Sequence, residues 1–199
     1  MAQGERVPGQ RRARILDAAL ECFLAKSVGG TTIDDVRRSS GASTGSIYHF
    51  FGSKEGLASA LYRETLADYQ AGYLAALRRC TGAEAGITSG VHSHLQWVAA
   101  RPDRARYLFH WREPEAIGRT DEPVAELNER FYAAASNWLQ PHVDAARIRP
   151  LTPRLRQALW MGPTIEYARL WLSGAGRRFD LLAGEPELAH AAWESMRTR

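Results

Sequence analysis

The stretch from Thr32 to Lys54, TIDDVRRSSGASTGSIYHFFGSK, constrains the fold more tightly than any other part of the chain. Thr32 is a good N-cap, and Ile33 and Val36 give the helix behind it an apolar side. Gly41 is the natural residue where the chain leaves that helix in a left-handed conformation. Ser43 then caps a second short helix carrying Ile47, Tyr48, Phe50 and Phe51, and Ser53 opens a third. Two short helices joined by a glycine turn form the helix-turn-helix pattern, whose second helix can enter the major groove of DNA.

The rest of the chain also reads as helical. Ile15, Ala19 and Phe23, with Leu16, Leu20 and Leu24, make one apolar face of a helix over about 11–26. Tyr62, Leu66, Tyr69, Tyr73 and Leu77 run along a helix over 53–79, roughly 40 Å long at 1.5 Å per residue. Ile87, Val91, Leu95 and Val98 mark the next, which stops near Arg101-Pro102. A short aromatic helix follows over 103–111, and then a loop over 112–120. Asp121 caps a long helix with Val124, Leu127, Phe131 and Trp138 on one stripe, which Pro141 should kink or shorten. Thr152-Pro153 starts a helix reaching about Ser173. Gly162-Pro163 inside it predicts a kink that frees a carbonyl near Leu159 for a ligand or water. A last helix follows Gly184. The count is nine helices, with no alternating run that predicts a strand.

Composition narrows the function classes. The 199 residues are 45% hydrophobic and 24% charged, which fits a soluble globular chain. No apolar run reaches the roughly 18 residues of a membrane span, and no apolar segment follows the basic N-terminus as in a secretory signal. Cys22 and Cys80 are far apart and fit a reducing cytoplasm. Net charge is +4, split evenly: residues 1–56 carry eight Lys/Arg against six Asp/Glu. Arg6, Arg11, Arg12 and Arg14 form a local basic arm suited to phosphate, or an ordinary solvated tail. His92 and His94 are two apart and cannot share a helical face toward a metal. His110 and Glu113 lack a third ligand. With no nucleophile motif and no phosphate loop, neither an enzyme nor a cofactor is expected.

All six tryptophans fall after residue 90, more large rings than a small core needs. An apolar cavity with a few polar groups is the usual form of a small-molecule site. The expected lining is Trp97, Tyr107, Trp111, Phe131, Trp160 and Tyr167, with His94, His110 or Glu166 as polar handles. The expected ligand is apolar or aromatic and of modest size.

The segments RILDAALECFLAKS, TTIDDV and SSGASTGSIYHFFGSKEGL, at this spacing, resemble the TetR family of transcriptional regulators. The resemblance is specific over the first fifty-six residues and general beyond them. It implies an all-α architecture of nine helices. Residues 1–56 would be the helix-turn-helix DNA-binding domain, and 57–199 the effector-binding and dimerisation domain. It further implies a homodimer on a pseudo-palindromic double-stranded operator, usually a repressor released by a small ligand. A transcriptional activator of the same family, or a helical small-molecule carrier with a vestigial motif, are the alternatives. Carried onto this sequence, the DNA-contacting set is Thr32, Ser43, Thr44, Gly45, Ser46, Tyr48, His49 and Lys54. The last two helices would pair with their twins, with Leu188, Trp193 and Met196 contributing. Two departures stand out. Ser27 replaces a usual glycine, so the chain is expected to turn at Gly29 instead. Arg37 falls where alanine is usual, so its helix should rotate or send Arg37 to a phosphate.

Overall fold

The structure is a computed structural model that describes residues 8–110, 122–173 and 179–199. Among the described residues nine α-helices follow one another: α1 (Pro8–Gly30), α2 (Ile33–Ser40), α3 (Thr44–Phe51), α4 (Lys54–Arg78), α5 (Ala83–Ala100), α6 (Pro102–Ala105), α7 (Glu122–Asp144), α8 (Pro153–Leu172) and α9 (Glu185–Met196). A π-helical turn, Arg106–His110, continues α6, and a 3-10 turn, Leu181–Gly184, leads into α9. The described residues hold no strand beyond one isolated antiparallel bridge between Ile148 and Arg197. The all-α reading holds. No described helix is long and apolar enough to cross a membrane.

Two hydrophobic cores meet along α4. The first is built from Ile15, Leu16, Ala19 and Phe23 of α1, Val36 of α2, Ile47 and Phe51 of α3, and Leu57 and Leu61 of α4. Helices as short as α2 and α3 are unstable alone, so this shared core and their caps hold them. Thr32 closes a reciprocal capping box: its Oγ1 accepts from the Asp35 amide at 3.1 Å, and Asp35 Oδ2 accepts from the Thr32 amide at 3.0 Å. Gly41 takes φ 65°, ψ 15°, the left-handed turn that glycine enters without Cβ strain, and donates its N–H to Arg37 O.

The second core joins the remainder of α4 to α5, α7, α8 and α9 through Leu66, Tyr73, Leu77, Ile87, Val91, Leu95, Leu139, Trp160, Met161 and Met196. Gly90 lets α4 and α8 close over α5, because a Cβ there would sit 2.5 Å from Tyr73 Oη and 2.9 Å from Trp160 Cζ2. Trp160 Nε1 donates to Ile87 O at 2.9 Å, so its ring is fixed.

Four expectations change. The chain does not turn at Gly29; Ser27 itself takes φ 65°, ψ 167° inside α1. Local bonds hold it there: Ser27 Oγ accepts from the Gly30 amide at 3.2 Å, and Ser27 O from Thr31 Oγ1 at 2.7 Å. The break also lets Val28 fall into the core at 4% exposure. Helix α7 runs three residues past Pro141, whose own carbonyl accepts from Ala145 N. The Leu159 carbonyl opposite Pro163 is not left for a ligand; Ser195 Oγ of α9 donates to it at 3.1 Å. Finally, Met196 is completely buried within the protomer, pinned where Arg149 N donates to Met196 O, so it is removed from any dimer surface.

Candidate nucleic-acid interface and ligand cavity

Helix α3 buries Ile47 and Phe51 and turns its other side outward. Thr44, Gly45, Tyr48 and His49 are exposed, and Ser46 is half-exposed. Tyr48 stands out with about half its surface free. Gly45 has open space where a Cβ would go, so it leaves a flat spot between Thr44 and Tyr48. The hydroxyls of Thr32 and Ser43 are engaged as caps, Ser43 Oγ accepting from Ser46 N at 3.2 Å. Lys54 opens α4 and donates from Nζ to Gly29 O at 3.3 Å, which ties the end of α1 to the start of α4.

Arg37 is neither buried nor free. Its Nε lies 2.7 Å from Asp34 Oδ1, and Arg38 reaches both Asp34 and Asp35. Lys26 also holds Asp35 at 2.9 Å. The Lys26 hydrogen bond, then those from the Thr32 amide and hydroxyl, keep the Asp35 carboxyl well below the usual carboxylate range. The basic side chains of α2 are thus internally balanced, and a phosphate must compete with Asp34 for them. Two arginines of the supposed N-terminal arm brace the fold instead: Arg12 pairs with Glu64 and lies over the Phe51 ring, and Arg14 donates to Ser40 O.

Between α4, α7 and α8 lies a cavity of about 530 Å³. Its walls include Leu66, Tyr69, Gln70 and Tyr73 from α4, Phe109 from the π-turn, Asn128, Phe131 and Tyr132 from α7, and Arg154, Arg156, Gln157, Trp160 and Met161 from α8. Phe131 and Trp160 are where the sequence reading put them. His94 and Trp97 stand behind the wall: His94 Nδ1 bonds Tyr69 Oη at 3.0 Å, and Trp97 Nε1 donates to Asp68 at 2.8 Å. Burial lowers the His94 pKa to about 4, so the ring is neutral.

Three expected lining residues are elsewhere. Tyr107 is a plug in the first core, its ring stacked on Phe23 and its Oη donating to Ala58 O at 3.0 Å. Glu166 is exposed and paired with Arg169, and Tyr167 lies against Phe179 on another face of α8. Trp111 and the His110 side chain lie outside the described residues. The sequence reading missed Tyr69, Tyr73, Phe109 and Tyr132, and also the polar pair in which Gln70 Nε2 donates to Asn128 Oδ1 at 2.9 Å. The i, i+4 spacing of Tyr69 and Tyr73 was visible, but it marked only an apolar face. No group of metal-ligating side chains occurs among the described residues.

A capped helix, a left-handed glycine turn and a second helix with an open polar face define a DNA-binding helix-turn-helix protein. The family model for bacterial regulatory proteins of the tetR family matches residues 15–61. The HTH-type transcriptional regulator BetI of Paraburkholderia xenovorans is 37% identical over 184 residues, covering 88% of this chain and 84% of that one. BetI of Agrobacterium fabrum is 29% identical over 169 residues, 83% and 82% of the two chains. The chain belongs to the TetR family of transcriptional regulators. Solved structures share the fold at low identity. A TetR family regulator from Marinobacter aquaeolei superposes with TM-score 0.78 at 18% identity, covering 96% and 97% of the two chains. FadR from Bacillus subtilis in complex with stearoyl-CoA gives 0.77 at 16%, covering 92% and 98%.

Proposed function

We propose that the protein is a homodimeric repressor that binds a pseudo-palindromic operator through α3 and leaves it when a small apolar or aromatic ligand fills the α4–α7–α8 cavity. Residues 1–56 form the DNA-binding domain in this reading, and residues 57–199 form the effector and dimerisation domain. Thr44 and Ser46 read base edges, Gly45 permits close approach, and Tyr48, His49 and Lys54 meet the backbone or thymine methyls. With few direct readers, DNA shape and the pairing of two half-sites supply much of the specificity. The dimer surface is the exposed side of α8, where Leu155 and Leu170 are each 46% exposed, together with Leu188 and Trp193 of α9.

The observation that carries ligand release is the split role of one short segment. Phe109 lines the cavity, while Tyr107, two residues earlier, plugs the DNA-binding core. Arg104 of α6 adds an ion pair to Asp17 of α1 at 2.8 Å. A ligand that displaces Phe109 therefore acts on α1 through Tyr107 and Arg104, in parallel with α4, which enters both cores. Moving a dimer from 1:99 to 99:1 between two spacings requires about 5.5 kcal/mol of differential affinity.

The test is binding of the purified protein to the DNA flanking its own coding region, across a range of salt. Tight, sequence-dependent binding with a steep salt slope supports the reading; weak binding blind to sequence there and in a genome-wide selection refutes it. Lys54→Ala should weaken binding to all sequences alike and lower the salt slope by about one unit. A loss confined to one base position would remove Lys54 from phosphate contact.

A further inference from the structure

We propose that the cavity selects an anionic ligand, a carboxylate on an apolar or aromatic body, with its charge held at the Arg154–Arg156 end. This rests on the effector reading above and adds the chemistry of the ligand. The cavity of about 530 Å³ accommodates roughly 18 non-hydrogen atoms, at the 30 Å³ each water occupies in the liquid. Its polarity is lopsided. Tyr69, Tyr73, Phe131 and Trp160 make an aromatic body, whereas Arg154 and Arg156 lie on the first turn of α8 with Gln157 next to them. None of the described lining residues is an aspartate or glutamate. Neither arginine has a carboxylate partner among the described residues, whereas Arg37, Arg106, Arg169 and Arg197 each have one.

Arg156 spends one Nη2 hydrogen bond on Leu151 O at 3.1 Å, and its buried Nε has no hydrogen-bond partner. A guanidinium presents five donors in a rigid fork, which suits a carboxylate better than any neutral group. The start of α8 reinforces the sign. Its first turn holds no acidic residue, and the Thr152 side chain makes no cap bond, so the positive end of a 20-residue helix dipole faces the same end of the cavity. Gln70 of α4 and Asn128 of α7 bond to each other and fix a neutral polar point in the wall. The aromatic body alone would also welcome a quaternary ammonium through cation–π attraction. Two guanidinium groups in the wall, with no carboxylate among the described lining residues, oppose one.

The experiment uses two bodies, a decyl chain and a biphenyl, each carrying a carboxylate, a hydroxymethyl or a trimethylammonium group. Trp fluorescence and calorimetry of the intact protein report binding. The carboxylate member of at least one body should bind about tenfold or more tightly than its neutral counterpart. Arg154→Gln and Arg156→Gln should each shrink the ratio of carboxylate to neutral affinity several-fold, the carboxylate losing more than the neutral ligand does. Equal affinity for the three head groups, preference for the trimethylammonium, or no binding by any of the six overturns the proposal. Carboxylate binding that leaves operator affinity unchanged would sink the effector reading instead and keep the ligand class. Release of DNA by a neutral or cationic ligand would do the reverse.

Discussion

Ser27 offers a test in which two small substitutions should move stability in opposite directions. Its φ of 65° with ψ of 167° lies in a region that glycine enters freely and a residue with a Cβ enters at a cost of about 1–3 kcal/mol. Ser27→Gly removes that cost, here taken as about 2 kcal/mol, and loses about 0.7 kcal/mol to the greater freedom of glycine in the unfolded chain. It also loses the Ser27 Oγ acceptor for Gly30 N, worth a few tenths when glycine replaces a cap. The net expectation is stabilisation by about 1 kcal/mol. Ser27→Ala keeps the strained backbone and loses the acceptor, so it should destabilise by about 1 kcal/mol. The gap of about 2 kcal/mol corresponds to roughly 4–8 °C in Tm for a chain of this size. Urea midpoints read by circular dichroism at one fixed protein concentration measure it. If glycine destabilises as much as alanine does, Ser27 is not strained and the account of α1 is wrong.

Three further outcomes follow from named contacts. His94 is buried and neutral with its pKa lowered to about 4, so below the ordinary value of 6.5 the unfolded chain gains a proton the folded one resists. Stability present above pH 6.5 should fall by about 2 kcal/mol by pH 5, and His94→Gln should flatten that part of the stability profile. Asp34→Asn releases Arg37, while Arg38 keeps its bond to Asp35, so binding to non-specific DNA should tighten and its salt slope steepen by about one unit; an unchanged slope would mean that Arg37 faces away from the backbone. Arg104→Gln cuts the ion pair to Asp17 without touching the cavity, so ligand affinity measured by calorimetry for protein free of DNA should stay within about twofold while release from the operator weakens. Full release in that variant would remove Arg104 from the route and leave Tyr107 and α4 as the levers.

The first core was legible in the sequence because its determinants are local. Thr32, Ser43, Ser53 and Gly41 each act within four residues of their own position, and all four stand where the caps and turn were expected. Ser27 was misread because two side-chain bonds and the burial of Val28 outweigh backbone preference, and neither is written in the local spacing. The cavity was legible only in kind. Helical periodicity says that a ring lies on an apolar face, but not which neighbour that face meets. Tyr107 has the same sequence signature as Phe109, yet its partner Phe23 lies more than eighty residues away in another core. Gln70 and Asn128 are separated by 58 residues and carry no pattern linking them. The arginine end of the cavity was passed over because charged residues in a first helical turn ordinarily face solvent.

The different fates of Tyr107 and Phe109 have a geometric origin. Residues two apart on a helix point to nearly opposite sides, so one short segment can set a ring into each of two cores. Tyr107 is completely buried and hydrogen-bonded to the backbone of α4, which makes it a fixed point. Phe109 is only partly buried and forms edge contacts with Tyr69 and Trp97 at ring separations of 5.3 and 6.1 Å. Each edge contact of this kind contributes about 0.5–1.5 kcal/mol beyond its buried area, and Phe109 makes no hydrogen bond to fix it as Tyr107 does. A ligand entering beside Phe109 therefore meets the softer ring, while the rigid one transmits whatever turn the segment makes. The backbone between them is π-helical, with a wider hydrogen-bonding pattern than an α-helix. Arg106 also ties this turn to the last turn of α8 through Leu172 O at 3.2 Å. The same segment thereby contacts the DNA-binding core, the cavity wall and the helix proposed for the dimer surface, the three places that the proposed ligand release has to connect.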